Sequence, residues 1–347
     1  MRSKMIQVTA VLALGSALVA GCGVSNQAAS GATNNATTGA AGNTASTAAT
    51  TNSAQTATIP PLPKYSGPIV ATYAGGQLTK QEFDHEYNVQ VVLPGISAQE
   101  SKKAFLSYYI TWYKYIYHKA AAEPGFKVDA ASANQAAAQQ LQQLVAQQYQ
   151  SQAALDTKMK SLGVTSADMV LLAAKGQALQ NYVSNQMKSV VVTDAAAQKY
   201  YNQNKAGMVQ VTVDQILVSD LKTAQEVETK WKSGANFQQL VSQYSKDPGA
   251  AQNHGTYAND LAIQFVAPFA KACETLPIGT ISNPIQTQYG YHVIRVDKRQ
   301  PQTFAQVKSV IEQQLLLPQL QNQKEQDIYN AAQSAAHIKQ TVADAGL

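Results

Sequence analysis

Charge is scarce in this sequence: Asp, Glu, Lys and Arg make up 14% of its 347 residues, well below the quarter usual in globular proteins. Gln, Asn, Thr and Ser supply much of the polar surface instead, so the protein should respond weakly to salt and pH. The formal charge is +5, and setting Arg2 and Lys4 aside leaves 24 basic residues against 21 acidic ones. So small and scattered an excess, with no basic stripe, excludes a nucleic-acid partner. Cysteine is nearly absent as well. Cys22 and Cys273 are the only two, which rules out a disulfide framework. His85, His118, His254 and His337 have no ligand spacing with carboxylates or thiols, and the chain has no phosphate-binding loop or nucleophile turn. No metal and no cofactor are implied.

What is present begins with an address. Arg2 and Lys4 precede an uncharged, mostly apolar run from Met5 to Ala20. It is too short and wrongly flanked to span a membrane stably, and it reads as a secretory signal over residues 1–21. Leu18-Val19-Ala20-Gly21-Cys22 resembles a bacterial lipobox, making Cys22 the expected lipid-attachment residue. From Gly23 to about Thr58 the chain is almost wholly Ala, Thr, Asn, Ser, Gly and Gln. Such a segment buries too little apolar surface to offset its ordering entropy. A disordered tether over 22–64 is therefore predicted, spanning on the order of 35 Å as a coil and stiffened at its end by Pro60, Pro61 and Pro63.

The folded part opens with a strand over 68–73 and a turn at Ala74–Gln77, followed by a helix that Thr79 and Glu82 open as a capping box. A second helix over 99–121 is dense in rings: Phe105, Tyr108, Tyr109, Trp112, Tyr113, Tyr115 and Tyr117. They read as core, or as a surface that grips unfolded chains. Helices follow over 129–150, 152–161, 165–190 and 193–204. After a central domain the chain is helical again from Thr303 to about Ala336, with an interruption at Pro318. That last helix is expected to fold back on the first segment, so a helical domain is built from residues 65–206 and 301–347.

The central segment, 207–300, has a different pattern. Val209 to Val218 alternates and is rich in β-branched residues, as a half-buried strand should be. Helices are predicted over 222–232, 236–244 and 268–276, and strands over Ile281–Ile285 and Tyr291–Val296. Cys273 falls on the apolar side of the third helix and reads as a buried thiol acting as a small hydrophobe.

Four blocks in this segment carry a resemblance: Asp214–Val218; Phe237–Leu240 with Tyr244-Ser245-Lys246-Asp247; Pro268-Phe269 with Leu276–Pro284; and Thr287–Ile294. In order and spacing they resemble the signatures of the parvulin-type (PpiC, rotamase) prolyl isomerases. With the lipobox and the helical flanks, the whole chain is similar to the PrsA-like foldase lipoproteins, and its flanks resemble the SurA chaperones in organisation. The resemblance implies an α+β fold, with a small antiparallel-type sheet and its helices inserted in an all-helical chaperone domain. It implies peptidyl-prolyl isomerase activity on newly secreted, proline-containing polypeptides at the outer face of the cell membrane, with a homodimer left open.

Carried onto these residues, the resemblance makes His292 the second of two family histidines and puts Gln215 where the first would stand. Phe269, Phe265, Tyr257 and Tyr289 become substrate-binding residues, and the family's cysteine position falls near Pro248. Gln215 and the larger rings at 257 and 265 depart from the family pattern. A narrowed pocket follows from them, and the alternative function is a non-catalytic holdase.

Overall fold

A computed structural model describes residues 58–347, so Cys22, the apolar run before it and residues 22–57 of the expected tether lie outside the described residues. The strands among the described residues are β1 (Ile69–Tyr73), β2 (Gly76–Thr79), β3 (Val209–Val218), β4 (Thr256–Leu261), β5 (Ile285–Thr287), β6 (Gly290–Pro301) and β7 (Lys339–Gln340). They form two antiparallel sheets, ordered β2-β1-β7 and β4-β3-β6-β5. The chain divides into two units, one of residues up to Lys188 together with Glu325–Leu347, the other Ser189–Lys324. The second unit is wider than the 207–300 expected from sequence. It also holds the helix Asp194–Gln203 and the turn of helix at Phe304–Val310, because Ala197, Met208, Leu261, Val307 and Ile311 share a small core.

In the first unit both ends of the chain meet in one sheet, where Ala71 pairs with Gln340. This corrects the all-helical expectation. β2 and β7 have only four and two residues and offer no period to read. The helix Lys80–Tyr87 starts as predicted, with the Thr79 hydroxyl accepting from Glu82 N. The reciprocal arm of the capping box is not made, since the Glu82 carboxylate turns inward to Tyr109 and Lys114. The aromatic helix runs from Lys102 through a widened, π-type stretch at Ile110–Ile116 to Ala121. Phe105, Tyr109, Trp112 and Tyr113 are buried, and Trp112 stacks on Tyr329 at 5.9 Å, so these rings are core. Pro318 does not break the last helix. The π-type stretch Ile311–Leu316 precedes it and absorbs the missing N–H, and Leu317–Ala336 continues.

In the second unit β3 is the central strand, and the two faces of its sheet have separate cores. Ile216, Val218 and Val293 pack on Ala224, Val227, Trp231, Leu240 and Val241 from the helices Leu221–Lys232 and Phe237–Tyr244. Val209, Val211, Val213, Ile294 and Val296 pack on Phe269 and Cys273 from the helix Ala267–Thr275. Cys273 is fully buried, and burial pushes its thiol up to about 12. Two sequence expectations need correcting. Ile281–Ile285 is not a strand: Ile281 makes a lone bridge to Arg295, and β5 begins only at Ile285. β4 was not foreseen, because Ala258, Asn259 and Asp260 are poor strand formers and Asn259 takes a left-handed φ of 66°.

Candidate active site

Gln215 on β3 and His292 on β6 lie on the same face of the sheet as Val213 and Ile294, because side chains alternate along each strand. The register pairs Gln215 with Ile294 and Leu217 with His292, so the two polar side chains are diagonal neighbours. Two glycines make this possible. Gly290 takes φ +131° at the β5–β6 turn, where a Cβ would lie 2.3 Å from the Val218 carbonyl oxygen. Gly255 takes φ +78° and accepts the Gln215 N–H on its own carbonyl at 2.8 Å. A Cβ there would stand 2.9 Å from the backbone carbonyl oxygen of Gln215.

The side chains form one continuous hydrogen-bonded chain. Asp247 Oδ1 accepts from Gly249 N at 2.9 Å. Asp247 Oδ2 accepts from Gln215 Nε2 at 2.6 Å and from the Tyr257 hydroxyl at 2.8 Å. Gln215 Oε1 lies 2.7 Å from His292 Nδ1, and His292 Nε2 lies 2.8 Å from Thr287 Oγ1. Thr287 Oγ1 in turn accepts from Tyr289 N at 3.1 Å.

The proton positions follow from the two ends. An ionised carboxylate only accepts, so the glutamine must turn its NH2 to Asp247 and its carbonyl to the imidazole. His292 therefore carries its proton on Nδ1 and presents a bare Nε2, which accepts a hydrogen bond from the Thr287 hydroxyl. Burial holds the His292 pKa below its ordinary value, although the Asp247 charge pulls the other way. The imidazole is neutral at pH 7.

Beside this chain stands a row of rings. Phe269 meets His292 edge-on at 5.2 Å, Phe265 meets Phe269 at 4.8 Å, and Tyr257 meets Phe265 edge-on at 5.8 Å. Phe269 is buried, whereas Phe265 and Tyr257 are half-buried. The sequence-predicted residues Gln215, His292, Phe269, Phe265 and Tyr257 are thus brought together. Tyr289 is not among them: it sits on the β5–β6 turn, 63% exposed, and joins the chain only through its backbone N–H. Pro248, near which the resemblance puts the family's cysteine position, is exposed, while its neighbour Asp247 reaches Gln215 with its carboxylate. Thr287 was also missed as a side chain that matters. Both lay inside the blocks that carried the resemblance, but only tertiary contact shows what they touch.

Comparison with known proteins places this segment in a family. Residues 192–309 match the family described as the PPIC-type PPIASE domain. A foldase protein PrsA from Geobacillus sp. (strain WCH70) is 39% identical over 127 residues, covering 36% of this chain and 45% of that protein. A probable parvulin-type peptidyl-prolyl cis-trans isomerase from Bordetella pertussis is 36% identical over 163 residues, covering 45% and 63%. Among solved structures, the foldase protein PrsA from Streptococcus pneumoniae aligns at a TM-score of 0.46 and 21% identity, over 80% of this chain and 97% of that one. The chain spans about half the length of the curated relatives it matches. Residues 192–309 are therefore a PPIC-type parvulin domain, and over this part the chain is similar to foldase proteins PrsA.

Proposed function

We propose that this chain is a lipid-anchored, extracytoplasmic foldase whose parvulin domain isomerises X–Pro bonds in newly secreted polypeptides. The observation that carries the reading is the fixed polar chain Asp247–Gln215–His292–Thr287 beside the rings of Phe269, Phe265 and Tyr257. Isomerisation breaks no bond and moves no proton. Its barrier of about 18–20 kcal/mol comes from amide resonance, which is lost as the bond twists. A proline ring laid against the half-buried rings leaves water, and water is what best solvates the planar, more polar amide. The polar chain supplies fixed dipoles that need no reorganisation when the amide twists. A neutral His292 suits that role, because a charged imidazolium would bring its own hydration into the pocket.

The basic start, the apolar run and the lipobox ending at Cys22 support the anchor. Two or more acyl chains hold stably where one is marginal. In this reading the first unit holds an unfolded chain while the second acts on its prolines.

The test is a protease-coupled isomerisation assay on the whole chain with a short proline peptide. His292→Ala should lower kcat/KM by roughly tenfold or more, or about 1.4 kcal/mol. Background activity that His292→Ala leaves unchanged would sink the isomerase reading. One observation favours a second reading: Gln215 stands where the resemblance implies a histidine, and it cannot share a proton as imidazole does. A chain without isomerase activity that still suppressed aggregation of a denatured client would be a holdase. Mass spectrometry of the membrane-extracted protein tests the anchor, which requires a diacylglycerol on Cys22.

A further inference from the structure

An amide side chain between a carboxylate and an imidazole has two orientations of almost the same shape. They dictate opposite tautomers for His292. With Gln215 Nε2 toward Asp247, the imidazole proton sits on Nδ1. With the amide turned over, Nδ1 is bare and Nε2 carries the proton toward Thr287. What decides between them is where the carboxylate stands, and Asp247 lies on the loop after the helix Phe237–Tyr244 rather than on a strand. One oxygen is held by Gly249 N, which leaves the other to be fixed by side chains.

We propose that the Tyr257 hydroxyl is a positioning group that sets the proton on His292 Nδ1 by holding Asp247 against Gln215. Tyr257 comes from β4, which pairs Val213 with Tyr257 on the neighbouring strand. Its hydroxyl reaches the same Oδ2 that accepts from Gln215, at 2.8 Å against 2.6 Å. Beside the loop, Gly249, with no side chain, leaves room for that hydroxyl. A Cβ on Gly249 would lie 3.3 Å from it and 3.3 Å from Asn253 Nδ2, while Asn253 Oδ1 is occupied by Gly255 N at 2.9 Å. The tyrosine therefore does two things with one side chain: its ring edges onto Phe265 in the wall, and its oxygen pins the far end of the polar chain. This gives a physical reason for two departures from the parvulin pattern to stand together. A glutamine at 215 needs its orientation set from outside, and a tyrosine at 257 supplies the donor that sets it.

The inference bears on the proposed isomerase through the same site, and its test separates the two. Long-range nitrogen–proton NMR of the imidazoles in the whole chain reads the tautomer directly. In the wild type, His292 should show a protonated Nδ1 and a bare Nε2. Tyr257→Phe keeps the ring and drops the donor, and it should move the two nitrogen shifts toward each other as the tautomers mix. Isomerase kcat should then fall roughly fivefold with KM nearly unchanged. Tyr257→Leu removes the same donor with a smaller side chain and serves if the first variant folds poorly. Unchanged imidazole nitrogens in either folded variant overturn the proposal, whatever the activity. Shifted nitrogens in a protein without isomerase activity uphold the positioning role and instead overturn the isomerase reading.

Discussion

In the helical unit, buried carboxylates meet cations. Glu82 accepts from Lys114 at 2.7 Å and from the Tyr109 hydroxyl, and Glu86 accepts from Lys175 at 3.0 Å and from Gln90. The parvulin domain also has such a pair, Asp214 with Arg295 at 2.8 Å, but at its candidate site Asp247 is held by an amide, a phenol and a backbone N–H. The histidines sharpen the contrast. His85 Nε2 lies 3.2 Å from Asp168, and that bond raises its pKa despite burial. His292 is separated from its carboxylate by the glutamine, and burial lowers its pKa. A carboxylate in direct contact favours the protonated form of an imidazole. A carboxylate one amide away directs the imidazole without touching it, and burial then favours its neutral form.

The charged arrangement should be the easier to wreck. Lys114→Met strands Glu82 and should cost the helical unit about 3 kcal/mol, the low end for a broken buried pair because Lys114 keeps 25% of its surface exposed. The two tryptophans, Trp112 and Trp231, fall in different units, so urea unfolding in a Trp231→Phe background reports the helical unit alone. Adding Glu82→Gln to Lys114→Met should recover most of the loss, since the amide oxygen still accepts from Tyr109. An unchanged midpoint in Lys114→Met would mean that this cluster does not contribute to stability.

The neutral arrangement should fail more softly. Gln215→Leu leaves His292 Nδ1 without its acceptor and removes one donor from Asp247, at a cost of about 2 kcal/mol for buried groups left unpaired. Denaturation followed through Trp231 measures that cost, and the isomerisation assay should show a greater proportional loss. Equal activity in Gln215→Leu would show that the orientation of the imidazole is irrelevant to the site.

How much of this was legible in the sequence depends on where each signal resides. β3 announced itself because Val209, Val211 and Val213 alternate toward one core. The Thr165–Asp168 cap was readable and is a complete capping box. The Thr79–Glu82 cap has the same local pattern, yet tertiary contacts took its carboxylate. β4 stayed hidden because its partner, not its composition, makes it a strand. Within the site, Gln215 and His292 could be placed from strand blocks. Asp247 and Thr287 could not: locally their side chains meet only the backbone N–H groups of Gly249 and Tyr289, whereas Gln215 is 32 positions from Asp247 and Thr287 meets His292 across a turn. Local pattern gives faces and caps, whereas hydrogen-bonded chains that cross strands appear only when the register is known.

The smallest effect is the one that tests the contrast most directly. His292 has a folded pKa below its unfolded value near 6.5, so the folded parvulin domain binds this proton less readily than the unfolded chain. Its contribution is fully present above about pH 6.5 and is lost as the pH falls toward the folded value. His85 has the opposite sign. Its folded pKa is raised, so its contribution is fully present below about pH 6.5 and is lost as the pH rises through the folded value. Between about pH 8 and pH 5.5, above the ordinary carboxylate range, these histidines should therefore tilt the two units in opposite directions. Unfolding followed separately through Trp112 and Trp231 reads both slopes, and each must be compared with its own control, His85→Gln or His292→Gln, to remove the other titrating groups. Acidification should strengthen the helical unit relative to its control and weaken the parvulin domain relative to its own. Slopes of the same sign in both would mean that the glutamine between Asp247 and His292 does not separate the charge from the ring, and the distinction between an ionic unit and a neutral site would fall.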